Sequence, residues 1–143
     1  MGSIITGSEI NKAFFQTARM PVIMLTPYPR LLPENRENVS LNLLLAERLA
    51  PISPEQRPLR VMDELKSILY KDSTPLLLER YEMLFSPAWR LNVLKIFADI
   101  ARIRPIYVSW HGQYKNGYLT YAEPDDPEYR NYRITDYDVI VVL

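Results

Sequence analysis

Apolar positions in the first half of the chain fall in short blocks broken by proline. Ile10, Phe14 and Ala18 recur every four residues behind Ser8, so a capped helix is predicted there, closed by Pro21 at or before Met20. Val22 to Leu25 is a short apolar run of strand type. Three prolines, Pro27, Pro29 and Pro33, then forbid regular structure over the next residues. Asn38 to Leu43 alternates as a strand does, and Leu43 to Leu49 suits a helix. Ala50 to Arg60 carries Pro51, Pro54 and Pro58 and reads as a loop, with Arg60 or Pro58 near the start of a helix. Val61, Leu65, Ile68 and Leu69 keep helical spacing over Val61 to Tyr70.

The second half is more regular. Leu76 to Leu78 and Ile106 to Trp110 are continuous apolar runs, as strands buried on both faces are. Leu91, Leu94, Phe97, Ile100 and Ala101 mark the clearest helix, with Ser86 as its expected cap and Pro87 in its first turn. Lys115-Asn116-Gly117 between Tyr114 and Tyr118–Tyr121 predicts a β-hairpin. Pro124 to Glu128 reads as a polar loop and Val139 to Leu143 as a closing strand. Strands alternating with helices predict an α/β fold, with a mostly parallel or mixed sheet flanked by helices. No internal repeat or boundary divides the 143 residues, so residues 1–143 read as one domain.

Composition narrows the chemistry. The chain has no cysteine and one histidine, which leaves out disulfides, thiol nucleophiles and Cys- or His-rich metal sites. His111 reads as a solvated or hydrogen-bonded turn residue. Basic and acidic residues balance at 17 each, which argues against nonspecific nucleic-acid binding. Residues 105–143 are locally acidic, with three basic and six acidic side chains. No basic leader followed by an apolar stretch opens the chain, and no apolar run is long enough to span a membrane, so a cytoplasmic location is expected.

Several stretches resemble BrxF, a family of small P-loop proteins from type 3 BREX phage-exclusion systems. They are Gln56-Arg57-Pro58-Leu59-Arg60-Val61, Leu76 to Pro87 (LLLERYEMLFSP), and Trp110-His111-Gly112. To these add Gly117 to Pro124 (GYLTYAEP) and Pro127-Glu128-Tyr129-Arg130. The resemblance runs from about Val39 to the C-terminus. It implies a P-loop-type fold with a Walker A loop and helix after the first core strand, and a Walker B strand ending in acid.

The residues depart from that pattern where phosphate would bind. A phosphate cradle uses successive backbone N–H groups and glycines that permit close approach. The four glycines are Gly2, Gly7, Gly112 and Gly117, so none lies between residues 8 and 111. The prolines remove donors from the segment after Leu25, and no lysine lies between Lys12 and Lys66. Val39 also follows too soon for the phosphate-binding helix to fit. Glu79 stands where the family pattern implies Asp, and Glu82 keeps a family-like position. These two are the candidate nucleotide or magnesium remnant, against the plainer reading of surface carboxylates paired with Arg80 or Arg90. The expected fold is therefore a degenerate P-loop type with a C-terminal hairpin, and no cofactor or metal is assigned.

Ser109, His111 and Asp125 or Asp126 supply the letters of a catalytic triad. No nucleophile elbow or oxyanion-hole signature accompanies them. Arg102 and Arg104 suit the C-terminal dipole of the helix before them. Seven of ten tyrosines fall in residues 105–143. Trp110, His111, Tyr118, Tyr121, Tyr129 and Tyr132 are thus candidates for a protein interface, with sheet packing and base stacking as the alternatives.

Three functions remain open. The first is a non-catalytic, P-loop-like component of a BREX-type assembly, whose partners are other proteins of that assembly or a second copy of the chain. The second is a nucleotide-binding or ATPase subunit completed by a partner. The third is single-stranded nucleic-acid binding through the tyrosine-rich third.

Overall fold

The computed structural model describes residues 2–26 and 28–143, with the backbone alone for Ser8 and Thr17. Pro27 and the proposed capping side chain of Ser8 lie outside what is described. Among the described residues the strands are β1 (Ser3–Ile5), β2 (Val22–Met24), β3 (Glu37–Ser40), β4 (Leu76–Glu79), β5 (Ile106–Ser109), β6 (Gln113–Lys115), β7 (Tyr118–Tyr121), β8 (Arg130–Arg133) and β9 (Ile140–Val142). The helices are α1 (Lys12–Thr17), α2 (Leu41–Leu49), α3 (Arg57–Leu69) and α4 (Val93–Ala101).

Six strands form one sheet in the order β1-β9-β2-β5-β4-β3, and every neighbouring pair is parallel. Alternation along the strands divides the core in two. Val22, Met24, Tyr107, Ile140 and Val142 face one side, joined by Phe15 of α1 and by Leu32. Ile23, Leu76, Leu78, Ile106, Val108 and Val141 face the other, under α2, α3 and α4. Crossovers advancing from β1 to β2 and from β2 to β3 lie on the first face. Those running back through β4, β5 and β9 lie on the second. A single hand of crossover requires that separation.

The small antiparallel sheet has the order β6-β7-β8 and packs on the second face through Leu119 and Tyr132. Its hairpin turns at Asn116 and Gly117, with φ of 50° and 86°, as a two-residue turn with positive φ at both positions requires. The expected hairpin is therefore present, and β8 extends it to a sheet.

Boundaries differ from the sequence reading at several elements. α3 begins at Arg57, inside the Ala50 to Arg60 stretch expected as a loop, because Pro58 is accommodated in its first turn. The clearest helix starts at Val93, where the Asn92 side chain accepts from Lys95 N at 3.1 Å. Arg90, at φ 50°, breaks any continuation back to Ser86 and Pro87. Asn11, not Ser8, precedes α1, accepting from Phe14 N at 3.0 Å. The strand expected over Asn38 to Leu43 ends at Ser40, because Leu41 and Leu45 turn inward as the first buried positions of α2.

Candidate functional site

Because the strands of the large sheet are parallel, their carboxyl ends share one edge. The chain leaves β2 across one face and leaves its neighbour β5 across the other. That reversal opens a crevice between them, the usual ligand site of open α/β sheets.

After β2 the chain makes only a one-turn segment, Pro29–Leu31, before β3 begins at Glu37. No α-helix lies in that crossover among the described residues, in agreement with the early arrival of Val39. Leu32 is buried against β2 instead. The Tyr28 hydroxyl donates to Leu143 O at 3.3 Å, tying this segment to the end of β9.

Glu79 ends β4 half-buried at the edge of the crevice. There it lines a cavity of about 310 Å³ with Met24 of β2, Ser109 of β5 and Asn38 of β3. The following residue, Arg80, has φ 47°, a conformation uncommon outside glycine. It turns the chain so that Glu82 points elsewhere. One Glu82 oxygen accepts from Asn42 Nδ2 at 2.7 Å and the other lies 3.1 Å from His111 Nδ1. Asn42 also accepts from Met83 N at 3.0 Å and donates its own backbone N–H to Arg80 O at 2.7 Å. The sequence-selected carboxylates thus sit in different surroundings. Glu82 is held by Asn42 and His111, where Arg80 or Arg90 had been expected. The sequence pattern predicts strand at Asn42, whereas it stands in the first turn of α2, facing Glu82.

Tyr81 anchors the same turn. Its buried hydroxyl donates to Ser109 O at 2.7 Å, and its ring meets Phe97 edge-on at 5.4 Å. Burial pushes the Tyr81 phenol far above its ordinary value of 10.0, and burial raises Tyr107 and Tyr132 as well. A raised acid group stabilises the fold fully below its unfolded value and loses that contribution as pH rises past it. Stability should therefore hold up to about pH 10, the ordinary tyrosine value, and fall steeply above it. Urea midpoints between neutral and strongly alkaline pH measure this, and Tyr81→Phe should flatten the alkaline limb. An unchanged slope in that variant would remove Tyr81 from the account.

The aromatic candidates are mostly internal. Trp110 is 5% exposed and Tyr132 is 7% exposed, so neither presents a surface. Trp110 Nε1 donates to Thr120 O at 3.0 Å, and the Tyr132 hydroxyl accepts from Val93 N at 3.2 Å. Tyr121 stacks on Phe85 at 3.9 Å with planes 11° apart, leaving that ring face unavailable to a base. Tyr129 is half-buried, while His111 and Tyr118 are exposed. The aromatic residues chiefly fasten the small sheet to the segment after β4. The triad letters do not assemble, because His111 Nδ1 faces Glu82 and Asp126 Oδ1 accepts from Glu128 N at 2.8 Å.

Arg104 is fully buried at the opposite end of the sheet. It donates to Leu69 O at 3.1 Å, Thr74 O at 2.6 Å and Glu37 Oε1 at 3.0 Å. Arg104 follows the end of α4, as expected, with its backbone N–H on Ile100 O at 3.0 Å, and its guanidinium also reaches the carboxyl end of α3, which Leu69 closes.

No group of three or more His, Cys, Asp or Glu residues capable of holding a metal ion occurs among the described residues, and none of their helices is long and apolar enough to cross a membrane. Comparison with protein-family models, curated proteins and solved structures gives no match.

Proposed function

We propose that this chain is a non-catalytic, P-loop-like component of a BREX-type phage-defence assembly, acting by binding other proteins. The reading rests on the BrxF-like stretches together with the order of the five strands from β2 onward in the large sheet. Numbered in chain order from β2, those five strands lie as 5-1-4-3-2. P-loop ATPases with one strand between the phosphate-binding strand and the acidic strand share this order. Glu79 then ends the strand on which the acid would stand. The observation that carries the non-catalytic part is the β2–β3 crossover, which has no glycine and, among the described residues, no α-helix whose N-terminus could meet phosphate. Isothermal titration of the purified chain with ATP and magnesium should give no binding at millimolar nucleotide. Micromolar affinity would overturn the reading. Tagged protein from cells carrying a BREX operon should retain other proteins of that system, and recovery without them would remove the defence assignment.

One observation favours a partner-completed ATPase. The Glu79 carboxylate has no hydrogen-bond or ion-pair partner among the described residues, whereas Glu82 is engaged. That reading differs in a single readout, an ATP turnover by the assembled complex that Glu79→Gln abolishes.

A further inference from the structure

The cavity beside Glu79 is lined by two unlike charges that do not meet. Arg36 reaches it from the β2–β3 crossover and Glu79 from the end of β4, and no ion pair joins them among the described residues. Arg36 donates through Nη1 to Pro33 O at 3.0 Å, while its buried Nε has no hydrogen-bond partner. The side chains of Asn38 and Ser109, also on the cavity wall, make no hydrogen bonds among the described residues. Polar groups left without partners around one cavity favour a ligand that supplies them. The rest of the wall is mainly apolar, from Met24, Leu32, Leu77 and Pro29, with Tyr28, whose hydroxyl is spent on Leu143 O.

We propose that this crevice binds a small zwitterion with an apolar body, of the α-amino-acid class. Arg36 takes the carboxylate and Glu79 the ammonium group, with Asn38 and Ser109 as secondary partners. The apolar part lies against Met24, Leu32 and Leu77. Size agrees, since the cavity measures about 310 Å³. A water molecule occupies about 30 Å³ in the liquid, so roughly ten non-hydrogen atoms fit. Leucine has about that many. The position agrees too, at the carboxyl ends of parallel strands where the crossovers reverse. The missing phosphate loop is part of the reason the pocket exists. A helix after β2 would cover this face, whereas the short crossover with its one-turn segment leaves space between Leu32 and the strand ends. The proposal does not depend on the defence assignment.

Titration calorimetry of the full chain with L-leucine, isopentylamine and 4-methylpentanoate tests it. Leucine should bind at millimolar or lower concentration. Each analogue lacks one charge and should bind roughly tenfold more weakly or worse, the loss expected for one charge-assisted hydrogen bond. In Glu79→Gln, leucine should bind no better than 4-methylpentanoate, and in Arg36→Met no better than isopentylamine. No binding of leucine at ten-millimolar concentration would overturn the proposal, as would equal binding of all three compounds. The comparison among the three compounds uses the unmodified chain, so it decides the matter even where a variant fails to fold.

Discussion

Arg104→Met should lower the stability of the chain by about 3–5 kcal/mol, measured from urea unfolding at neutral pH. The estimate comes from the groups left behind. The methionine side chain fills much of the same space, yet it donates nothing to Leu69 O, Thr74 O or Glu37. Each carbonyl that loses its partner inside the protein costs about 1–3 kcal/mol, and the half-exposed Glu37 carboxylate, which water can still reach, adds little to that. Lys71 offers the control. Its ammonium lies 3.9 Å from the same Glu37 carboxylate, but the side chain is 52% exposed. Lys71→Ala should therefore stay within about 0.5 kcal/mol, as surface changes usually do. A loss below about 1 kcal/mol for Arg104→Met would mean that water or a shifted backbone replaces all three bonds.

Arg104 also shows where sequence patterning stopped. A cation just after α4 could be chosen from the residues, and its backbone N–H does donate to Ile100 O at 3.0 Å, but its guanidinium is spent on the end of α3, packed on the same face of the sheet. The runs Leu76 to Leu78 and Ile106 to Trp110 were legible because a parallel strand covered on both faces leaves few polar positions. The Asn116-Gly117 turn was legible because its backbone demands those residues. The three-residue β1 and the polar β8 carry no such pattern; β1 forms through β9 at the far end of the chain, and β8 through pairing with β7. The same limit applies to the site. Glu79 and Glu82 could be chosen from the chain, and the absence of a phosphate-binding helix could be inferred from the short interval before Val39. Neither Asn42 as the clasp on Glu82 nor Arg36 as the charge facing Glu79 could be chosen. Those roles arise only when β3, β4 and β5 lie side by side.

Gly112→Ala should be among the most damaging single-methyl changes in the chain. A Cβ built at Gly112 would stand 1.8 Å from Thr120 O and 2.8 Å from Trp110 Nε1. The first is backbone, so no side-chain rotation relieves it. The same carbonyl accepts the Trp110 indole N–H at 3.0 Å, and that bond must break or stretch as β7 moves away. Overpacking of this kind costs about 1–3 kcal/mol, and the lost hydrogen bond adds about 1 kcal/mol. The displacement would also reach Tyr121, the residue beside Thr120, which stacks on Phe85. The expected result is a lower thermal midpoint, a weaker near-ultraviolet dichroism from Trp110, and faster proteolysis within residues 113–133. Gly117→Ala separates steric conflict from backbone strain. Nothing lies within 4 Å of its Cβ position, and its φ of +86° is the sole objection. It should cost about 1 kcal/mol and leave the Trp110 signal intact. Equal losses in the two variants would place the cost in the hairpin backbone and not in the approach of Gly112 to β7.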